Sequence, residues 1–141
     1  IFTVVNRAVD GVVDRIISFG VSGSTRLTLG YASTEEALFV NNTSFTEVRA
    51  DADTGVDNII TGFRSGTTQS ISVNGGAATT DSNAVNGTGV NQGRIGVNPA
   101  ADSNFLNGIF AELLIFNRAL TSTEIDNINT YLSNKYNIGL A

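Results

Sequence analysis

The sequence predicts an all-β protein: a two-sheet antiparallel β-sandwich of the jelly-roll kind, closed by one C-terminal α-helix. Three observations predict it. From residue 1 to about 117, nine short β-forming segments alternate with Gly, Asn, Asp and Ser punctuation. The last of them, Ile109 to Asn117, opens IFAELLIF, in which only Glu112 is polar. A single stretch of helical periodicity follows, Ser122 to Tyr136. Many strands and one terminal helix do not make a βαβ alternation. Two antiparallel sheets packed face to face bury the alternating residues of each, and a jelly roll accommodates many short strands with long connections.

The strand segments are Ile1 to Ala8, Val13 to Phe19, Arg26 to Ala32, Glu36 to Val40, Ser44 to Ala50, Val56 to Phe63, Gln69 to Asn74, Gly93 to Val97 and Ile109 to Asn117. Leu27, Leu29 and Tyr31 alternate with Arg26, Thr28 and Gly30, and Ile71 and Val73 with Ser70, Ser72 and Asn74, so these strands are expected to have one wet face. Asn74-Gly75, Asn86-Gly87 and Asn107-Gly108 suit tight turns that need positive φ. The stretch Gly76 to Gly89 reads as a short return strand and a long surface loop, and Pro99 falls in a further loop. Ile109 to Asn117, apolar on both faces, is expected at the centre of a sheet.

The helix start is explicit. Thr121 is placed as N-cap with Glu124 three residues on, a capping box, while Leu120 and Ile125 form a hydrophobic staple. Ile125, Ile128, Leu132 and Tyr136 make one apolar stripe, with Asp126, Asn127, Asn129, Thr130 and Asn134 on the remaining arc. That stripe must lie on an apolar surface.

The 141 residues, 1–141, amount to a single domain, 41% hydrophobic and only 15% charged, with a surface made polar by Ser, Thr, Asn and Gly. Eight basic against thirteen acidic residues leave a net charge of −5 with no cationic cluster, which argues against a nucleic-acid partner. There is no Cys and no His, so thiolate metal sites and histidine-based acid–base chemistry are absent. No run of about 18 apolar residues suggests membrane insertion. The chain has no Met and opens at Ile1 inside a strand-like run, IFTVV, which reads as a piece of a longer polypeptide.

From Gly93 to Tyr136, GRIGVN, a loop, FLNGIFAELLIFNRAL with T-x-x-E-I, and Y-L-x-x-K-Y resemble the closing signature of concanavalin A-like lectin/glucanase domains. The likeness is to the laminin-G-like kind found in phage structural and bacterial surface proteins. Upstream, Val56 to Phe63 resembles the family's strand before its central hairpin, ISVNGG at Ile71 to Gly76 its next strand and turn, and RIISFG at Arg15 to Gly20 an early strand. The chain departs from the family in having no Trp. The resemblance implies a concanavalin A-like jelly roll whose first strand would lie before Ile1, leaving a sheet edge open unless preceding chain or a neighbouring subunit covers it.

Glu124-Ile125-Asp126 resembles the start of the Glu-x-Asp-x-x-Glu motif of the family's glucanase branch. Glycoside hydrolysis needs two carboxylates roughly 5 to 10 Å apart across a cleft. Here Glu124 is a capping residue, Asp126 falls on the solvent arc and Asn129 stands at the second Glu, so no catalytic residue is assigned. Asp51, Asp53 and Asp57 bring three carboxylates around a glycine at a spacing usable by calcium, but without the full EF-hand pattern they read first as an exposed acidic turn, and no metal ligand is assigned. No cofactor is expected. Sugar binding would use an exposed aromatic face with planar hydrogen-bonding groups. Most aromatics read as core, Tyr31 included although it is the better exposed candidate, while Asp81, Asn83, Asn91, Asp102 and Asn104 sit in loops able to orient a sugar. Asn41, Asn42 and Asn86 match a glycosylation acceptor pattern that arises readily in so polar a sequence. Glu112, placed in an apolar strand, requires a partner, Arg118 or Arg94.

These observations predict a non-catalytic, lectin-like module that binds a glycan or cell-surface polymer and is displayed on a larger assembly. It would lie outside the cell, at a cell surface or on a virion. The alternative is a structural component of a phage particle or bacterial surface filament, with neighbouring subunits as partners and no sugar binding.

Overall fold

The computed structural model describes residues 1–22, 25–33, 36–41, 46–82, 92–98, 100 and 103–141. The strands are β1 (Phe2–Arg7), β2 (Asp14–Ser22), β3 (Thr25–Tyr31), β4 (Glu36–Asn41), β5 (Thr46–Asp51), β6 (Asp57–Ser65), β7 (Thr68–Val73), β8 (Thr79–Asp81), β9 (Gly93–Ile95) and β10 (Gly108–Leu114), and α1 (Ser122–Tyr136) follows. β8 is the short return strand expected after Gly75. One sheet runs β10-β1-β6-β7-β8 and the other β5-β4-β3-β2-β9. Every pairing is antiparallel.

Alternation along β1 and β6 builds two apolar layers from one sheet. Val5 and Ile60 face the sandwich interior with Ile17, Leu29, Tyr31, Val48 and Ile71. Phe2, Val4 and Ile59 face the other way and receive Leu132 and Ile138 from α1 and the tail beyond it. The first sheet is thus covered on both faces, which is why polar residues of β1 and β6 such as Thr3, Asn58 and Thr61 are buried and each hydrogen-bonded. The capping box at Thr121 and Glu124 forms as the sequence requires, and Asn137 ends the helix in the left-handed conformation.

Four expectations are corrected. The apolar last strand is not central: among the described residues β10 lies at an edge and pairs with β1 alone, and it ends at Leu114, three residues early. Its apolarity comes from layers above and below, with Phe110 and Leu113 turned to the interior and Leu114 toward the helix. It does not come from strands on both sides. Ile109, at the start of β10, is 66% exposed. The second correction concerns the wet faces: Thr28 and Ser18 are buried opposite one another, their hydroxyls bonded at 3.3 Å, and Ser72 is buried too.

Third, Asn129 does not lie on the solvent arc. It is buried and accepts a hydrogen bond from Thr61 Oγ1 at 3.2 Å. Fourth, Asn74 and Gly75 take the expected positive φ of 51° and 71°, whereas Asn107-Gly108 does not. Gly108 is required for close approach instead, because a Cβ there would sit 2.0 Å from the Asn6 carbonyl oxygen. Asn86-Gly87 and Pro99 lie outside the described residues.

Candidate functional site

Among the described residues, a surface able to hold a ligand lies at each end of β1. At the Arg7 end three loops converge. Ala8 N–H donates to Asn107 O at 2.8 Å, Arg15 N–H to Asn104 O at 3.1 Å, and Gly55 N–H to Arg7 O at 2.7 Å. Their anchor is Arg7, a fully buried guanidinium. It donates to Asp14 at 3.2 Å, Asp10 at 2.9 Å and the Ala32 carbonyl at 2.8 Å, and also to the Val12 carbonyl. Arg7 further stacks 4.9 Å from the centre of the Tyr31 ring. Burial raises the Asp14 carboxyl above its ordinary pKa against the opposing pull of Arg7, and raises the Tyr31 hydroxyl likewise.

Around this rigid base the loops present Phe105, 60% exposed, with Asn104 beside it in the left-handed region at φ 56°, and Asp10 at 40% side-chain exposure. Asn98 closes the adjoining loop through its side-chain amide to Ser103 Oγ at 2.8 Å. An exposed aromatic with a carboxamide and a carboxylate at one end of a sandwich has the chemistry that orients a sugar ring.

At the Ile1 end a groove of about 510 Å³ runs between the end of β6 and residues 115–120. Phe19 and Leu27 from the second sheet, Phe63 and Arg64 from β6, and Phe116 and Ile125 from the far wall are among its lining. The Ile1 nitrogen lies in it and donates to Gly62 O at 2.9 Å. Thr61, Arg64, Asn117 and Arg118 stand beside these apolar side chains as its polar lining.

The residues singled out from the sequence separate as follows. Glu124 is fully engaged in the cap: Thr121 N–H donates to it at 2.9 Å, and Arg118 clamps it at 2.5 and 2.9 Å. The Arg118 hydrogen bonds, then the Thr121 N–H, hold its carboxyl down at about 2. Asp126 is exposed on the helix and Asn129 is buried, so no carboxylate pair faces a cleft. Asp51, Asp53 and Asp57 are all exposed, Asp57 accepts from Asn6 at 3.0 Å, and among the described residues no group of three His, Cys, Asp or Glu is arranged to hold a metal ion. Tyr31 belongs to the core.

Glu112 is paired with neither Arg118 nor Arg94: Lys135 Nζ reaches it at 3.1 Å and the Tyr131 hydroxyl at 3.4 Å. Burial works against its charge, but the bonds from Lys135 and Tyr136 outweigh it and leave the carboxyl below its usual range. Asp81 ends β8 and Asn41 ends β4, while Asn42, Asn83, Asn86, Asn91 and Asp102 lie outside the described residues. Sequence reasoning missed Arg7 and Phe105. The spacing Arg7, Asp10, Asp14 after an apolar strand was the available signal for the first; nothing in the alternation marks Phe105 as exposed.

Residues 4–126 match the Laminin_G_3 family model, described as concanavalin A-like lectin/glucanases superfamily. The chain belongs to that family. The match takes in the closing strand and the first turn of the helix, while Tyr131 to Tyr136 lie beyond it. No curated protein matches.

Among solved structures, the CBM40 of Ruminococcus gnavus IT-sialidase bound to α2,3-sialyllactose superposes with a TM-score of 0.77 at 11% identity, over 91% of this chain and 80% of that one. The same domain without a named ligand gives 0.73, and bound to α2,6-sialyllactose 0.70, each at 12% identity and the same coverage. At such identity the likeness shows a shared jelly-roll fold. Those neighbours are carbohydrate-binding modules, and among the described residues of this Laminin_G_3 domain no helix is long and apolar enough to cross a membrane.

Proposed function

We propose that the chain is a non-catalytic carbohydrate-binding module, displayed on a larger assembly outside the cell, at a cell surface or on a virion, with its sugar face at the Arg7 end. The observation that carries this reading is Phe105. A large apolar ring 60% exposed beside Asn104 leaves most of its surface to solvent, where it can serve as a stacking surface. The fold shared with sialyllactose-bound domains supports a glycan as the ligand class. The capping duty of Glu124 and the exposure of Asp126 support a module without hydrolytic chemistry.

Titration against a glycan panel that includes both sialyllactoses tests it. Phe105→Ala is expected to weaken binding about tenfold or more, with unfolding unchanged because the ring is exposed. No binding by any glycan, or binding indifferent to Phe105, refutes the assignment. Hydrolysis of a glucan that disappears in Glu124→Gln would overturn the non-catalytic part. A second reading, a structural component without sugar binding, is favoured by the exposed apolar residues Ile109 and Ile115 on and just beyond edge strand β10.

A further inference from the structure

We propose that the groove at the Ile1 end is a second binding site, which takes a small amphipathic carboxylate: its head on Arg64 and its apolar body along Phe19 and Leu27. The inference goes beyond the sugar-binding reading and does not rest on it.

The alternation of β6 builds the site. Its pairing with β1 and with β7 runs without a register shift. Ile60, Gly62 and Arg64 therefore lie on the face toward the sandwich interior, and Ile59, Thr61 and Phe63 on the face toward α1. Gly62 contributes no side chain to the interior face between Ile60 and Arg64. Phe19 and Leu27 pack at the margin of the interior core on that same side and line the groove with Arg64. On the far wall, Phe116 meets Phe2 edge to face with ring centres 6.0 Å apart. The volume of about 510 Å³ lies within the range, roughly 300–1,000 Å³, of sites for small molecules.

Charge selects the head group. The chain carries a net charge of −5. Among the described residues, however, Arg64 and Arg118 line the groove and no Asp or Glu does. Arg118 is clamped by Glu124 at 2.5 and 2.9 Å, so its charge is already answered. Arg64 is half-buried, and burial pulls its pKa below the ordinary value, the mark of a guanidinium poorly solvated in its charged form. A carboxylate brought to it favours that form. The planar fork has five N–H donors, so it can take a carboxylate bidentately and keep its other hydrogen bonds. A neutral hydrocarbon in the same place would desolvate the cation further and set no ion against it.

Calorimetric titration with decanoate below its micellar concentration tests the proposal, with decanol and decyltrimethylammonium as ligands of the same length and different head. Decanoate is expected to saturate one site per chain, to bind at least about tenfold more tightly than decanol, and to weaken as salt rises. The ammonium is expected not to bind. Arg64→Gln should bring decanoate down to the affinity of decanol, Arg64→Lys should restore part of the difference, and Phe116→Ala should weaken both ligands. The comparison of head groups on the unaltered chain decides the matter even where a variant fails to fold. Equal affinity for decanoate and decanol, no saturable binding, or decanoate binding indifferent to Arg64→Gln overturns the proposal. A dimer that decanoate dissociates gives the groove to a second copy and overturns it too. Phe105→Ala separates the two sites: decanoate binding should survive it while glycan binding falls, and loss of decanoate binding would overturn the placement in the groove.

Discussion

Replacing Arg7 by Met tests whether the buried ionic cluster is what holds the loop platform. The Arg7 side chain is fully buried and that of Asp14 is 2% exposed, so loss of the guanidinium strands a carboxylate that water does not reach. Breaking such a pair from one side costs about 3–5 kcal/mol. Asp10, at 40% exposure, turns to water and adds little. The Val12 and Ala32 carbonyls each lose a donor, worth about 1 kcal/mol apiece when loop relaxation supplies water to one of them. The expected loss is therefore about 6 kcal/mol. For 141 residues the unfolding entropy is roughly 0.3 kcal/mol/K, so the melting midpoint should fall by about 20 °C. Urea and thermal unfolding measure both. Adding Asp14→Asn to Arg7→Met should recover about 2 kcal/mol, a coupling that a double-mutant cycle isolates. Because burial already raises the Asp14 pKa, removal of Arg7 raises it further, and the deficit of Arg7→Met should shrink as the pH falls toward about 4. A loss below about 1 kcal/mol, or strict additivity of the two substitutions, would show that the cluster is incidental to the platform.

Glu124 gives a second pH signature: its folded pKa of about 2 lies below the ordinary 4.5, so its contribution is complete above about pH 4.5 and is lost as the pH falls toward 2. Acid unfolding of Glu124→Gln, which keeps the cap but not the charge, should lack that component, and an unchanged acid limb would contradict the assigned clamp. Gly108→Ala should cost about 3 kcal/mol, since the Asn6 carbonyl 2.0 Å away is backbone and cannot swing aside. Gly11→Ala, with open space around it and only a positive φ of 83°, should cost about 1 kcal/mol, and equal costs at the two sites would refute the close-approach argument.

The helix was legible to its ends because its signals are local: Thr121, Glu124, the staple and the apolar stripe act over one or two turns. Strand positions were legible from alternation and turn residues, with β8 the short return strand anticipated. Strand neighbours were not. An apolar run such as IFAELLIF records that both faces are covered, yet β10 is covered by the opposite sheet and by α1, and its place at an edge leaves no mark in the run itself. The same limit applies to Thr28, Ser72 and Asn129, polar residues buried because layers and neighbouring side chains meet over them. Phe105 shows the converse, an aromatic whose loop carries it outward. Of the sugar-orienting residues anticipated, Asn104 lies on the converging loops and Asp81 on β8, and the partner of Glu112 proved to be Lys135, supplied by the helix folding back across β10.

The groove and the loop platform are joined through β1. Six residues at about 3.3 Å each put them about 20 Å apart, at opposite ends of one strand. β1 is paired on both sides, with β6 and with β10, so its two ends keep one register. A ligand that fills the groove should then raise the stability of the whole domain while leaving glycan affinity unaltered. A groove ligand that also changes the affinity would place the sugar at the groove end and move the function away from Phe105.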